Sequence, residues 1–295
     1  MESKPKKILY IGGGVLAGVF SAGVLASLLK DEKIYEKFDA VFASSAGAVV
    51  GAYFLANQPE GATIFYDSLI KDFIMPMNFF GGMRDRLTNR FIHEVPSENF
   101  RNAVDIEKLF KVVKEENILN LIAVKERNLP LYVDFLDVND FKTKFVDISK
   151  KDDLLYWLRC AVSAVPYYYP GKTLYIDGGM ASSFPLEDIE NVYPDHDIVA
   201  ILNIMPQKFM RRFLKGLTEG AVASIMYGVR IWPVFLKRDY LFLRQMRTIK
   251  QHKNLTIVSP PNSLNLWPNT TNRKKLLRAF EEGKVAGEKL LIELN

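Results

Sequence analysis

The sequence is poor in several things that carry chemistry elsewhere. It has one cysteine, Cys160, and three histidines among 295 residues. A single thiol excludes an internal disulfide framework and any cysteine zinc site, and is compatible with a reducing compartment. No stretch reaches the ~20 apolar residues of a membrane span. No internal repeat, low-complexity tract or linker interrupts the chain, so one domain is expected over residues 1–295. The basic start, Met1 to Lys7, leads into an apolar run broken by three glycines, which reads as a first strand and not as a cleaved leader. The location expected from this is cytoplasmic or peripheral to a membrane.

What is present is ordinary globular material, 48% hydrophobic and 25% charged, with ample residues for a core. The net charge of +5 is mild but unevenly placed. Residues 207–253 hold eleven Lys or Arg against Glu219 and Asp239, a net +9, which leaves −4 for the remainder. In this region Phe209, Met210, Phe213, Leu214 and Leu217 fall on one helical face, with Lys208, Arg211, Arg212 and Lys215 opposite. Aromatics continue at Tyr227, Trp232, Phe235, Tyr240 and Phe242. One reading is docking to an anionic membrane surface. The other is a helix packed on the core with a solvated basic face. Nucleic acid is not expected, because no recognised binding module accompanies the charge.

The most informative stretch is Phe38 to Ala56. It starts as a short strand-like run, passes two serines between small residues, and continues as a helix. A strand turning sharply into a helix with a serine at the bend exposes a hydroxyl beside the free N–H groups of the helix start. Ala43 and Gly47 flank Ser45 where the common elbow pattern has glycine. About thirty residues earlier, Ile8 to Ile11 reads as a buried strand, Gly12-Gly13-Gly14 follows with Gly18 beyond it, and Val19 to Leu29 reads as a helix. Such a loop can hold a phosphate, form an oxyanion hole, or serve only as a flexible turn. The phosphate reading lacks a G-K-[ST] ending or a complete G-x-G-x-x-G. The βαβ spacing of the two units puts both loops at one carboxyl edge of a parallel sheet, where ligands bind.

Further along, Asp105 to Val113 reads as an amphipathic helix, and Leu131–Leu136 with Lys144–Ile148 as two strands around Asn139-Asp140. A helix is expected near Asp152–Ala164, a strand over His196–Leu202, an edge strand over Leu255–Val258 and a closing helix over Lys274–Leu294. Residues 58–128 are mostly helical in pattern. Phe73 to Met83, rich in Met, Phe and Gly, reads either as an apolar lid or as a loop covering the core. In Thr173 to Met180 a short strand ends on Asp177 before Gly178-Gly179. That aspartate is either a turn-forming residue or a base aimed into a site. A serine nucleophile needs a base, and His93, His196 and His252 all fall badly for the role. Asp177 is therefore preferred, provided that burial raises its basicity above that of a free carboxylate.

Taken together, these segments resemble the patatin-like phospholipase family. The resemblance rests on Gly12-Gly13-Gly14 with Gly18, Gly23-Val24-Leu25, Ala43-Ser44-Ser45-Ala46-Gly47, Ala161 to Pro166, and Asp177-Gly178-Gly179, in order across residues 8–202. It implies an α/β three-layer sandwich with a mainly parallel central sheet and helices on both faces. It also implies hydrolysis of phospholipids or other acyl-ester lipids by a Ser–Asp dyad, with no cofactor and no metal. Carried over residue by residue, Ser45 is the nucleophile, Asp177 the base, and the backbone of Gly13, Gly14 and Val15 the oxyanion hole. Gly12, Gly18, Ala43, Gly47, Gly178 and Gly179 are the supporting small residues. Three departures stand out: Val15 replaces a glycine, Ala17 replaces the basic loop residue, and Ser183 stands where asparagine precedes x-Pro. Losing one oxyanion donor costs on the order of 10²–10³ in rate. A weak or inactive lipid- or partner-binding protein, and an acyltransferase with the same dyad, are the alternatives.

Overall fold

The apolar runs of the sequence become the strands of one sheet. The computed structural model describes residues 7–75, 102–168, 170, 173–204, 209–248, 252 and 254–295, the side chains of 209–213, 215, 243 and 246–248 excepted. Strands β1 (Lys7–Ile11), β2 (Ala40–Ala43), β3 (Leu131–Asp137), β4 (Thr143–Asp147), β5 (Tyr175–Asp177), β6 (Asp197–Ile201) and β7 (Leu255–Val258) form a sheet in the order β4-β3-β2-β1-β6-β7. The pairs β3-β2, β2-β1, β1-β6 and β6-β7 are parallel, while β4 and β5 both run antiparallel to β3. This is the mainly parallel α/β architecture that the sequence implied.

Side chains alternate across the strands with period two. Leu9, Ile11, Val41, Ala43, Leu131 and Val133 enter one core layer, which also takes in α1 (Val19–Leu28) and α2 (Ala46–Leu55). Their neighbours Ile8, Tyr10, Ala40 and Phe42 enter the opposite layer with Phe184, Leu186 and Ile189. Helix α2 is buried along its whole length and α1 along nearly all of it, as their all-round apolar sequences require.

The segment read as mostly helical is, among its described residues, broken into short pieces. Short turns at Pro59–Ala62 and Ile64–Ser68 precede α3 (Ile106–Lys111) and α4 (Leu121–Glu126). Phe73 is buried, and residues 76–83 of the proposed lid lie outside the described residues. Helices α5 (Leu154–Ala161) and α6 (Leu186–Val192) follow, then the pair α7 (Phe209–Tyr227) and α8 (Trp232–Thr248). Of the expected apolar face of α7, Leu214 and Leu217 have described side chains. Leu214 is 55% exposed, whereas Gly216 lies against Asp239 and Gly220 against Trp232. Small residues at these two positions let the helices approach closely, and Ala223 packs with Ile231 and Phe235 beside them. Among the described residues no helix is long and apolar enough to cross a membrane.

The last helix, α9 (Arg273–Leu294), lies along α1 in backbone contact. A Cβ on Gly283 would sit 2.3 Å from the Phe20 carbonyl oxygen, and one on Gly23 2.2 Å from that of Phe280. In an open helix, Gly→Ala gains roughly 1 kcal/mol. Here the methyl has only rigid backbone to push against. Gly283→Ala is therefore expected to destabilise the protein by about 1–3 kcal/mol, read as a fall in the urea unfolding midpoint.

Candidate active site

Strand β2 ends at Ala43 and α2 begins at Ala46, so Ser45 occupies the bend between them. Its backbone sits at φ 53°, ψ −128°, a conformation that a residue with a Cβ adopts only under strain. The bend brings α2 onto the end of β1: a Cβ at Gly47 would lie 2.2 Å from the Ile11 carbonyl oxygen. Only glycine fits there. Ser45 in turn abuts the glycine loop, for a Cβ on Gly13 would stand 2.8 Å from the Ser45 Cβ and 3.5 Å from its Oγ.

The loop after β1 presents unused donors. Among the described residues the N–H groups of Gly13, Gly14 and Val15 make no backbone hydrogen bond, while those of Gly12 and Leu16 on either side donate to Ile201 O (2.8 Å) and Pro268 O (3.1 Å). Val15 has φ 51°, a strained value for a β-branched residue, at the position where the family pattern has glycine. Asn203, buried just beyond β6, braces the loop. Its Oδ1 accepts from Ser21 N (2.9 Å) and its Nδ2 donates to Gly12 O (2.6 Å).

Asp177 arrives by a route the sequence did not suggest. It ends β5, which runs against β3 and not with it, and Asp177 pairs with Phe135. Its Oδ1 accepts from Gly179 N at 2.8 Å, and its buried Oδ2 has no hydrogen-bond partner. Burial drives the carboxyl up to about 6; the Ser45 hydroxyl, the Gly179 N–H and the charge of Arg238 pull the other way. The serine thus approaches the carboxylate without a hydrogen bond of good geometry, as in many ligand-free sites. Arg238 is 5% exposed and belongs to α8. It donates from Nη2 to Glu219 Oε2 (2.8 Å) and from Nε to Asp239 Oδ1 (3.1 Å), and Tyr167 donates to the other oxygen of Glu219.

Gly13, Gly14, Val15, Ser45, Asp177 and Arg238 line one cavity of about 560 Å³. Ser45, Val15 and Tyr167 also border an adjoining slot of about 50 Å³ whose other walls, among them Val49, Phe65 and Phe73, are apolar. A strained serine, a buried basic carboxylate and idle amide donors on one cavity form the equipment of acyl transfer. The patatin-like phospholipase family profile matches residues 9–189, more than half of the chain. The chain belongs to the patatin-like phospholipase family. Membership places it among lipid acyl hydrolases. No curated protein matches the sequence. Among solved structures, the crystal structure of VipD from Legionella pneumophila is similar in fold, with a TM-score of 0.52 at 11% identity, over 99% of this chain and 67% of that one.

The family motifs thus converge, and other candidates do not. His196 pairs with Asp39 (3.1 Å) and His252 with Glu190 (3.0 Å), beside a separate surface cavity, and His93 lies outside the described residues. The side chains of Lys208, Arg211, Arg212 and Lys215 also fall outside them. Among the described residues no three His, Cys, Asp or Glu side chains are grouped to hold a metal ion. Arg238, Asn203 and Asp134 were not anticipated. Asp134 had a signal, a charge inside the apolar run of β3. Arg238 had none, being one cation among eleven.

The raised Asp177 pKa has a consequence for stability. The folded state holds this proton more tightly than the unfolded chain, so the ionised carboxylate costs stability above about pH 6, by about 3 kcal/mol for a shift from 3.8 to about 6. The cost disappears below the unfolded value. Asp177→Asn is therefore expected to be more stable than the wild type at about pH 8, with the gap closing by about pH 4; urea unfolding at the two pH values measures it.

Proposed function

We propose that the protein is a serine lipid acyl hydrolase, a phospholipase A or lysophospholipase-like esterase, in which Ser45 is the nucleophile and Asp177 the base. The observation that supports this most is the meeting of a strained Ser45 and a buried Asp177, with its Oδ2 unpartnered, on one cavity. In this reading Asp177 takes the Ser45 proton as Oγ attacks the ester carbonyl. The N–H groups of Gly13, Gly14 and Val15 hold the oxyanion. Collapse expels the alcohol, which recovers the proton from Asp177, and leaves an acyl-serine. Water, activated by the same carboxylate, then releases the fatty acid and restores Ser45.

The apolar slot suits the start of the acyl chain, and the larger, more polar cavity suits the glycerol and headgroup side. Ala17 is fully buried, so a basic side chain in its place would point into core. Arg238 is then the cation whose field reaches the dyad. It comes from α8, beyond the matched residues, so we read the chain as one working domain. The alternative of an inactive binding protein predicts no labelling of Ser45 by a fluorophosphonate. The acyltransferase alternative predicts ester products when an alcohol or lysolipid is added.

Ser45→Ala and Asp177→Asn are each expected to lower p-nitrophenyl ester hydrolysis by about 10³-fold or more. The wild-type rate should rise with pH through an acid limb centred at about 6, where Asp177 loses its proton. Full activity in Ser45→Ala refutes the assignment.

We also read the basic region 207–253 as a docking surface for an anionic membrane. Arg230 and Lys237 are exposed, and Val229 (76%) and Trp232 (36%) stand out at the turn between α7 and α8. Binding to phosphatidylglycerol-containing vesicles should weaken several-fold as salt is raised from about 0.05 to 0.5 M. Salt-independent binding removes the electrostatic part of this reading.

A further inference from the structure

Behind the proposed dyad lies a second serine–aspartate pair, turned toward the core. Tyr10 donates to Ser44 Oγ at 3.1 Å, and Ser44 donates to Asp134 Oδ2 at 2.7 Å. Tyr10 and Asp134 are fully buried and Ser44 nearly so. Ser44 is the chain neighbour of Ser45. On its other side Asp134 packs against Gly178, the chain neighbour of Asp177: a Cβ on Gly178 would stand 2.6 Å from both the Asp134 Cγ and its backbone carbon. The strand register explains the coincidence. Ala43, at the end of β2, pairs with Val133, and Asp177, at the end of β5, pairs with Phe135. Residue 134 is the one position of β3 between them.

We propose that Asp134 is a positioning residue, a strut that holds the Ser45 bend and the Asp177 loop at a fixed separation through Ser44 on one side and Gly178 on the other. It touches neither substrate nor the reacting atoms. The inference rests on the hydrolase reading for its kinetic consequence, but the strut itself does not. Burial, then the Asp177 charge, hold the Asp134 carboxyl well above its usual range against the Ser44 hydrogen bond, with Asp188 adding to the rise. Asp134 is therefore the neutral member while Asp177, faced by Ser45, Gly179 N–H and Arg238, titrates. A neutral strut is imitated by asparagine and not by alanine.

The test compares Asp134→Ala and Asp134→Asn in the full chain, with p-nitrophenyl butyrate as substrate. Asp134→Ala should lower kcat by about ten- to a hundredfold, the effect of a small misplacement of reacting groups, with KM changed by no more than about twofold. Asp134→Asn should recover most of that loss and keep the acid limb within about half a pH unit of the wild type. Backbone amide exchange should accelerate in Asp134→Ala at residues 44–47 and 178–180 together. Wild-type kcat in Asp134→Ala, or Asp134→Asn no better than Asp134→Ala, overturns the proposal. So does an acid limb displaced in Asp134→Asn, because it would make the residue an electrostatic and not a positioning group. If Asp134→Ala does not fold, the asparagine variant and its pH profile decide alone. If the wild type neither hydrolyses the ester nor labels at Ser45, the hydrolase reading fails by itself. The paired change in amide exchange then upholds the strut, and unchanged exchange at either loop refutes it.

Discussion

Everything at the site depends on the register of three strands. β2 and β5 lie end to end along the same side of β3, β2 beside its first half and β5 beside its second. One strand delivers the serine upward and the other brings the aspartate down to meet it. Hydrogen-bond ladders fix such registers tightly, since a slip of one residue turns every side chain to the wrong face. The distance between two groups 132 positions apart in the chain is thereby set by a backbone ruler a few residues long. Antiparallel β5 is what makes this possible: a parallel strand would carry its carboxyl end away from β2.

The arrangement is costly by itself. Ser45 and Val15 are held at positive φ, each worth of order 1–3 kcal/mol of strain. Asp134 and Asp177 are both buried, each with one oxygen lacking a hydrogen-bond partner. Two carboxyls so placed cannot both ionise, so one negative charge serves the pair. The surroundings over-determine this geometry through close backbone packing: α2 on the end of β1 at Gly47, and α9 on α1 at Gly23 and Gly283. Glycine at each contact removes the side chains that would otherwise relieve the strain by holding the layers apart.

This division explains what could be read from the sequence. Apolar runs, glycine loops and the order of the motifs expose the parallel core and the residues that meet there, because those features are local or have fixed spacing. β5 was legible as a strand, but its direction was not, since three residues carry no signal of orientation. Asp134 stood out only as a charge in an apolar strand; its partner Ser44, and Tyr10 which donates to Ser44, come from two other strands' ends. The α7–α8 contact gave no signal, because periodicity highlights large apolar residues, whereas Gly216 and Gly220 lie at the approach.

The C-terminal helices matter for a related reason. A parallel sheet leaves its carboxyl edge open to water, and a carboxylate in open water keeps its ordinary acidity and is a poor base. Raising it requires a cover. α8 provides Phe242, Arg238 and Asp239 on the cavity wall, and Glu219 of α7 pairs with Arg238 and ties Tyr167 to it. Closing the edge with a purely apolar wall would push Asp177 toward permanent protonation; closing it with a lone arginine would pull it back to a weak base. An arginine largely balanced by two carboxylates excludes water while leaving the Asp177 pKa at about 6, the range that the proposed proton transfer requires.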